Sequence, residues 1–308
     1  MRAGKFCECE PAWRGNTMIV FGILAHDNPE CFADLIESVR RFAPDAGILL
    51  FDGGTSAAFK ECAIGLGVER CRYSKPLVHG KLADFHFGVM RHLHEEQRAY
   101  DYLVTMDSDM LLVRSGLETQ LDRCLRDSGY MGTNFHLLGD APFESWQIGQ
   151  YFQFQWERWA SAFDCERPAG CFNPGQVFRR EFVEQILQYA KLPELLRRVE
   201  RSRLPALEEV IFPTLAVSLA ANPKSNPGSK AIQLKPHDGE ELAGFLADGA
   251  VFMVHKVSMN YDAPDRRYLR AARRGEMPEP FRVATNVLKT KRFQPLRTLL
   301  QSVRYKYF

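Results

Sequence analysis

Three short apolar-rich runs most constrain how this chain can fold: Met18–Ala25, Ile48–Phe51 and Asp101–Met106, each ending at a polar turn. A strand with one wet face alternates apolar and polar residues, whereas a near-continuous apolar run implies cover on both faces. Between the runs, apolar residues recur at helical spacing, as in Phe32, Leu35, Ile36, Val39 and Phe42. Buried strands alternating with amphipathic helices predict an α/β fold with a mostly parallel, doubly wound sheet. Right-handed crossovers then bring the loops after Ala25, Phe51 and Met106 to one edge, where such sheets bind ligands.

The remaining pattern extends this picture. Asn28 reads as a cap and Pro29 as the first residue of a helix through Cys31–Phe42. Further strands are predicted at Val68–Tyr73, Tyr130–Phe135 and Ala250–Val257, and a loop-strand at Gly170–Phe178. Helices are predicted at Gly80–Gln97, Leu117–Asp127, Glu181–Tyr189, Pro193–Arg201 and Pro205–Leu219. Glu144–Phe163 reads as a helix with aromatics on more than one face, and Asn222–Ser229 as a loop.

At 308 residues, with 45% hydrophobic and 25% charged residues, the chain can bury a sizeable core. A net charge of +2 argues against a general polyanion binder. The charge is uneven: Pro280–Phe308 holds seven basic residues (Arg282, Lys289, Lys291, Arg292, Arg297, Arg304, Lys306) and no acidic one, which leaves −5 elsewhere. Such a tail suits a membrane surface, a nucleic acid or an acidic partner. None of the eight cysteines forms a C-x-x-C pair, which argues against zinc and redox motifs and suggests reduced thiols in a cytoplasmic protein. A pairing of Cys165 with Cys171 carries little weight. Met18–Ala25 is too short to span a membrane, no secretory signal precedes it, and no 20–50-residue repeat is apparent.

The chemistry concentrates at Asp107-Ser108-Asp109, between the apolar runs Tyr102–Met106 and Met110–Val113. Side chains at i and i+2 of an extended chain share a face. Two carboxylates there suit Mg2+ or Mn2+ held jointly with a substrate diphosphate. A turn that merely ends the strand would use the same residues. Asp52, before Gly53 and Gly54, is placed to hold a base or ribose, or else begins a plain turn. Lys81 and Asp84 open a helix whose start could favour phosphate, with exposed surface residues as the dull alternative. Glu208 and Glu209 at a helix start offer either a general base or partners of the helix dipole. His255 and Lys256 at a strand end could complete a divalent site and meet a diphosphate, or His255 could be structural. Most aromatics between Trp146 and Phe163 read as core, with Trp146 and Trp156 the candidates for a cleft.

Taken in order, the segments ILAHDNPECFADLIESV, FDGGTS, GKLADFHFGVMRHL and LVTMDSDMLLV resemble GT-A fold glycosyltransferases of the bacterial family-2 type, over about residues 18–135. LEEVIFPTL resembles the acidic helix start that supplies the base in inverting members. It is also similar to a stretch of core-2/I-branching N-acetylglucosaminyltransferases. The loop GCFNPGQVFRR resembles the acceptor loop preceding it. The resemblance implies a Rossmann-like, mostly parallel sheet flanked by helices, with a helical, aromatic acceptor region and a basic C-terminal extension. It divides the chain into a loose leader (1–17), a nucleotide-sugar-binding half (18–140), an acceptor-binding and catalytic half (141–262) and the extension (263–308).

By the same resemblance Glu209 is the catalytic base and Glu208 its neighbour. Asp107, Asp109 and His255 bind Mn2+ or Mg2+. Ala25, His26, Asp52, Lys81, Asp84, Asp107, Ser108 and Lys256 face the donor, a UDP-sugar by preference. Trp146, Trp156, Asn173, Gly175 and Gln176 face the acceptor. The acceptor expected is a glycan, a lipid-linked or a natural-product hydroxyl, with nucleic acid ranked behind them. The location expected is cytoplasmic, with peripheral contact to the inner membrane face through the tail. Two departures stand out: the branching enzymes generally lack a metal-binding Asp-x-Asp, and Glu208 replaces the Asp of their motif.

The rivals are a haloacid-dehalogenase-type phosphatase with Asp107 as nucleophile, a nucleotidyltransferase, and a non-catalytic carbohydrate- or nucleic-acid-binding protein. The first usually carries its motif on the first strand, with Thr or Val where this chain has Leu111. The second typically opens with a glycine- and arginine-rich loop, which ILAHDNPE is not.

Overall fold

The computed structural model describes residues 18–78, 80–139, 146–276 and 281. The predicted leader, Glu144 and the seven basic tail residues lie outside them. The first half runs β1 (Ile19–Ala25), α1 (Pro29–Phe42), β2 (Gly47–Asp52), α2 (Ala57–Gly65), β3 (Glu69–Arg70), α3 (Ala83–Glu95), β4 (Tyr102–Asp107), β5 (Met110–Leu112), α4 (Leu117–Cys124) and β6 (Tyr130–Leu137). There follow α5 (Gln147–Phe154), α6 (Trp156–Trp159), β7 (Ala169–Arg179), α7 (Arg180–Leu187), α8 (Leu192–Arg201) and α9 (Glu208–Ser218). The described chain closes with β8 (Lys224–Ser225), α10 (Gly239–Ala247), β9 (Met253–His255) and α11 (Pro264–Arg273).

Seven strands form one sheet in the order β3-β2-β1-β4-β7-β6-β8. The strands from β3 to β4 are parallel, as the apolar runs of β1, β2 and β4 lead one to expect, and β8 is parallel to β6. The exception is β7, which lies antiparallel between β4 and β6. β1 shows why a continuous apolar run means a buried strand. Ile19, Phe21 and Ile23 face one core with α1, α2 and α4, while Val20 and Leu24 face a second core with α3, α7 and α9. Gly22 interrupts the run because α3 lies close: a Cβ there would sit 3.0 Å from Val89 Cγ1.

Several elements differ from the sequence expectation. The predicted strand Val68–Tyr73 shrinks to two residues at the sheet edge. Helix α2 was not expected; Ser56 caps it through the Phe59 N–H. The aromatic segment divides into two short helices, α5 and α6. The expected loop at Asn222–Ser229 contributes β8. The expected strand at Ala250–Val257 forms only Met253–His255 and leaves the main sheet to pair with β5. The six described cysteines are free, so Cys165 and Cys171 are not bridged.

The largest difference is β7, expected as an acceptor loop joined to a short strand and found as an eleven-residue strand. Its ladder with β6 is broken: Met131 faces Val177, whereas Thr133 faces Phe172. Two steps on β6 therefore span five on β7, and Asn173–Gln176 bulges from the ladder. Pro174 lacks a backbone N–H and Gly175 takes φ +77°, so both suit a bulge better than regular pairing. Proline inside a central strand is tolerated here for that reason.

Candidate active site

The predicted edge is where the chemistry assembles. β1, β2 and β4 end side by side, with Ala25 opposite Asp52 and Leu24 opposite Asp107. Asp107 is the last residue of β4; after the Ser108 turn, Met110 starts β5. Pairing of β5 with β9 sets Met110 opposite His255 and so brings a residue 146 positions away beside Asp109. His255 Nε2 lies 3.2 Å from Asp109 Oδ1, and Lys256 Nζ lies 3.0 Å from Asp109 Oδ2.

Asp107, Asp109 and His255 each offer a ligand atom, all within 4.8 Å of one another. Their chemistry fits a divalent cation: two hard carboxylates and an imidazole nitrogen. The other face of the imidazole is already held, since His255 Nδ1 lies 2.6 Å from the Gln233 carbonyl. Nδ1 is thus taken up by that carbonyl, and Nε2 is the ring nitrogen that faces the carboxylates. Metal-bound histidines generally have such an outer partner. The orienting carbonyl of Gln233 carries no signal in the sequence, because any residue supplies one.

Electrostatics separates the two aspartates. Burial and the charge of Asp109 push Asp107 up to about 6. Burial opposes ionisation of Asp109 too, but His255 and Lys256 outweigh it and hold that carboxyl below its usual range. Asp109 is therefore the ionised anchor of the group.

The second acidic pair opens α9. Glu208 and Glu209 are both buried. Glu208 accepts the Leu82 N–H at 3.2 Å, and burial with the Glu209 charge pushes its pKa well up. Glu209 accepts the Asn173 N–H at 3.3 Å and a hydrogen bond from the Trp146 side chain. Burial raises its pKa to about 8 against those two donors, and the Asp107 charge adds to the rise. The influence of Asp107 on both glutamates brings the two acidic motifs into one electrostatic site.

The bulge in β7 supplies the floor beneath Glu209. The Asn173 Oδ1 accepts from Gln176 Nε2 at 3.0 Å and lies 2.8 Å from His86 Nε2. Tyr130 donates to Gln176 Oε1 at 2.7 Å. Burial lowers the His86 pKa to about 4, against the Asn173 hydrogen bond. Asn173 and Gln176 therefore lie inside a buried network instead of on an open acceptor surface. Gly175 packs against Ile232, Met253 and Met110, the last two on β9 and β5. Trp146 is half-buried beside Gly149, Gly170 and His136. Trp156 stacks on Phe163 at 5.6 Å and donates its indole N–H to the Glu166 carbonyl.

The remaining donor-site expectations are placed as follows. Ala25 is buried and His26 exposed, and the His26 carbonyl lies so close to Gly54 that a Cβ there would sit at 2.3 Å. Asp52 is buried; its Oδ1 accepts the Gly54 N–H, and Oδ2 lies 3.3 Å from Arg70 but takes no hydrogen bond among the described residues. Ser108 is buried with its hydroxyl towards Met259 Sδ. Lys81 reaches the Ser202 carbonyl at 3.4 Å, and Asp84 pairs with Lys75 at 2.7 Å. Those two side chains are engaged outside the acidic cluster.

No family model matches the chain, and no curated protein matches it. Among solved structures it is similar to the galactosyltransferase LgtC in complex with donor and acceptor sugar analogues, at a TM-score of 0.44 and 14% identity, covering 86% of this chain and 98% of that one. It is also similar to glucosyl-3-phosphoglycerate synthase from Mycobacterium tuberculosis in complex with Mn2+, UDP and glucosyl-3-phosphoglycerate (TM-score 0.37, 12% identity, 88% and 87% covered). The glycosyltransferase GlyE of Streptococcus pneumoniae TIGR4 is a third (TM-score 0.39, 13% identity, 79% and 55% covered). Likenesses this loose transfer no residue roles; the site's own geometry has to carry the function.

Proposed function

We propose that the protein is a metal-dependent glycosyltransferase of the GT-A type, moving a sugar from a nucleoside diphosphate to an acceptor hydroxyl with inversion. The observation that carries this reading is the convergence, at one sheet edge, of the Asp107–Asp109–His255 ligand group with a buried carboxyl, Glu209. Asp107, Asp109 and His255 would hold Mn2+ or Mg2+, which when bound offsets negative charge on a leaving diphosphate. Lys256 adds a positive charge beside the same group. Asp52, whose Oδ2 lies 3.3 Å from Arg70 but takes no hydrogen bond among the described residues, suits a ribose hydroxyl or a base N–H, and UDP is the favoured nucleotide.

Glu209 takes the proton of the acceptor hydroxyl as its oxygen bonds to the anomeric carbon. The bond from that carbon to the diphosphate oxygen breaks at the opposite face. Its raised pKa suits it to accept a proton near neutrality. Trp146, which donates a hydrogen bond to Glu209, would border the acceptor. A glycan, lipid-linked or natural-product hydroxyl fits this role.

Calorimetric titration with UDP, GDP, TDP and CDP, in Mn2+ and then in EDTA, tests the reading. One nucleotide should bind selectively and only with Mn2+, and Asp109→Ala should abolish that binding. No binding of any of the four would overturn it.

A further inference from the structure

Arg266 has the largest fully buried side chain of the described residues, yet it belongs to Pro264–Arg273, a helix whose sequence reads as a basic surface element. Taking a guanidinium out of water is expensive unless its charge is matched and its N–H groups are used. Both conditions are met here. Nη1 pairs with the buried Asp34 of α1 at 2.8 Å, Nη2 donates to the Ser108 carbonyl at 3.2 Å, and Nε donates to the Ser258 carbonyl. Arg273 approaches Asp34 from the same helix at 2.7 Å but touches neither carbonyl.

The identity of those two carbonyls is informative. Ser108 is the residue between Asp107 and Asp109, and Ser258 lies three residues after His255. The two halves of the ligand group come from distant parts of the chain; β5–β9 pairing joins them, and the Val257 N–H donates to the Asp109 carbonyl at 2.8 Å. Arg266 adds a side-chain link between Ser108 and Ser258 and ties both to Asp34 of α1. Asp265 adds to the clamp by accepting the Ser258 N–H at 2.7 Å. The planar guanidinium fork sets three directions at once, which a lysine ammonium on a flexible stem does not.

We propose that Arg266 is a positioning residue that sets the separation of Asp107 and Asp109 from His255 and thereby the affinity for a divalent cation. The proposal rests on the metal reading above. Side chains that orient ligands from outside typically change metal affinity by about 10- to 100-fold when altered.

The test is calorimetric Mn2+ titration of the full chain as wild type, Arg266→Lys and Arg273→Lys, together with melting of each in EDTA. Arg266→Lys should weaken Mn2+ binding by about tenfold or more. Arg273→Lys, which alters the same Asp34 cluster but not the Ser108 or Ser258 contacts, should bind as wild type does. If Arg266→Lys does not fold, Asp34→Glu keeps both charges while shifting the guanidinium, and should show the same weakening. Equal Mn2+ affinity in the wild type and the Arg266 or Asp34 variant, with only the EDTA melting temperature lowered, makes Arg266 a structural residue and overturns the proposal. A wild type that binds no Mn2+ overturns the metal reading and the positioning role together.

Discussion

Glu208 and Glu209 show how position alone divides two identical side chains. One accepts the Leu82 N–H and has its pKa pushed well up by burial and the Glu209 charge; the other receives hydrogen bonds from Asn173 and Trp146 and is pushed by burial up to about 8. For Glu209 the folded pKa lies above that of the unfolded chain, so the folded state binds the proton more tightly. Its contribution to stability is complete below about pH 4.5 and is lost as pH rises towards 8. Metal-free protein should therefore lose stability across that window, with a slope of up to about 1.4 kcal/mol per pH unit from this group. Chemical denaturation at a series of pH values should show a flatter profile for Glu209→Gln. In turnover the same group predicts the opposite pH trend, since only the deprotonated base accepts a proton: transfer should rise with pH along a limb set by Glu209. Glu209→Gln should lower transfer by roughly 10²- to 10⁴-fold while sparing donor binding. Near-full transfer by that variant would remove Glu209 from the base role.

At the scale of elements, the decisive piece is the bulge of β7. Its extra residues turn the Asn173 N–H to Glu209 and pack Gly175 against the β5–β9 pair that holds Asp109 and His255. The bulge thus meets Glu209 directly and packs on Met110, the residue after Asp109. Gly175 combines φ +77° with a Cβ position 3.0 Å from Ile232 Cδ1. Gly175→Ala should destabilise the protein by about 1–2 kcal/mol from the left-handed backbone alone. It should also lower transfer beyond what the stability loss explains, because Asn173 is displaced. Thermal melting and kinetics on the same preparation separate the two effects. The sequence reads this segment as a loop-strand, and its resemblance to a glycine-containing acceptor loop favours the loop. Only the β6 and β4 neighbours on either side make it a strand with a bulge.

Over the whole molecule, charge and burial separate by region. The described helix α11 turns Arg266, Tyr268 and Leu269 inward. Among the described residues no helix is long and apolar enough to cross a membrane. The seven basic residues from Arg282 onward, unmatched by any acidic one, suit an anionic surface. The full chain should co-sediment with anionic vesicles more than a chain ending at Pro280, and salt should erase the difference. Equal sedimentation would leave the tail without a membrane role.

The sequence by itself determined the parallel half of the sheet and the edge at which β1, β2 and β4 end together, since strands buried on both faces must read as continuous apolar runs. It also singled out Asp107, Asp109, Glu208, Glu209 and His255, because few residue types serve metal or proton chemistry. Tertiary structure alone decided that β5–β9 pairing is what brings 107–109, already grouped with 255 by the resemblance, beside it, that β7 runs antiparallel with a bulge, that Gln176 is buried, and that Arg266 is an internal strut. Each of these depends on a partner more than 30 residues away, and local pattern carries no information about which distant backbone carbonyl or carboxylate will lie alongside.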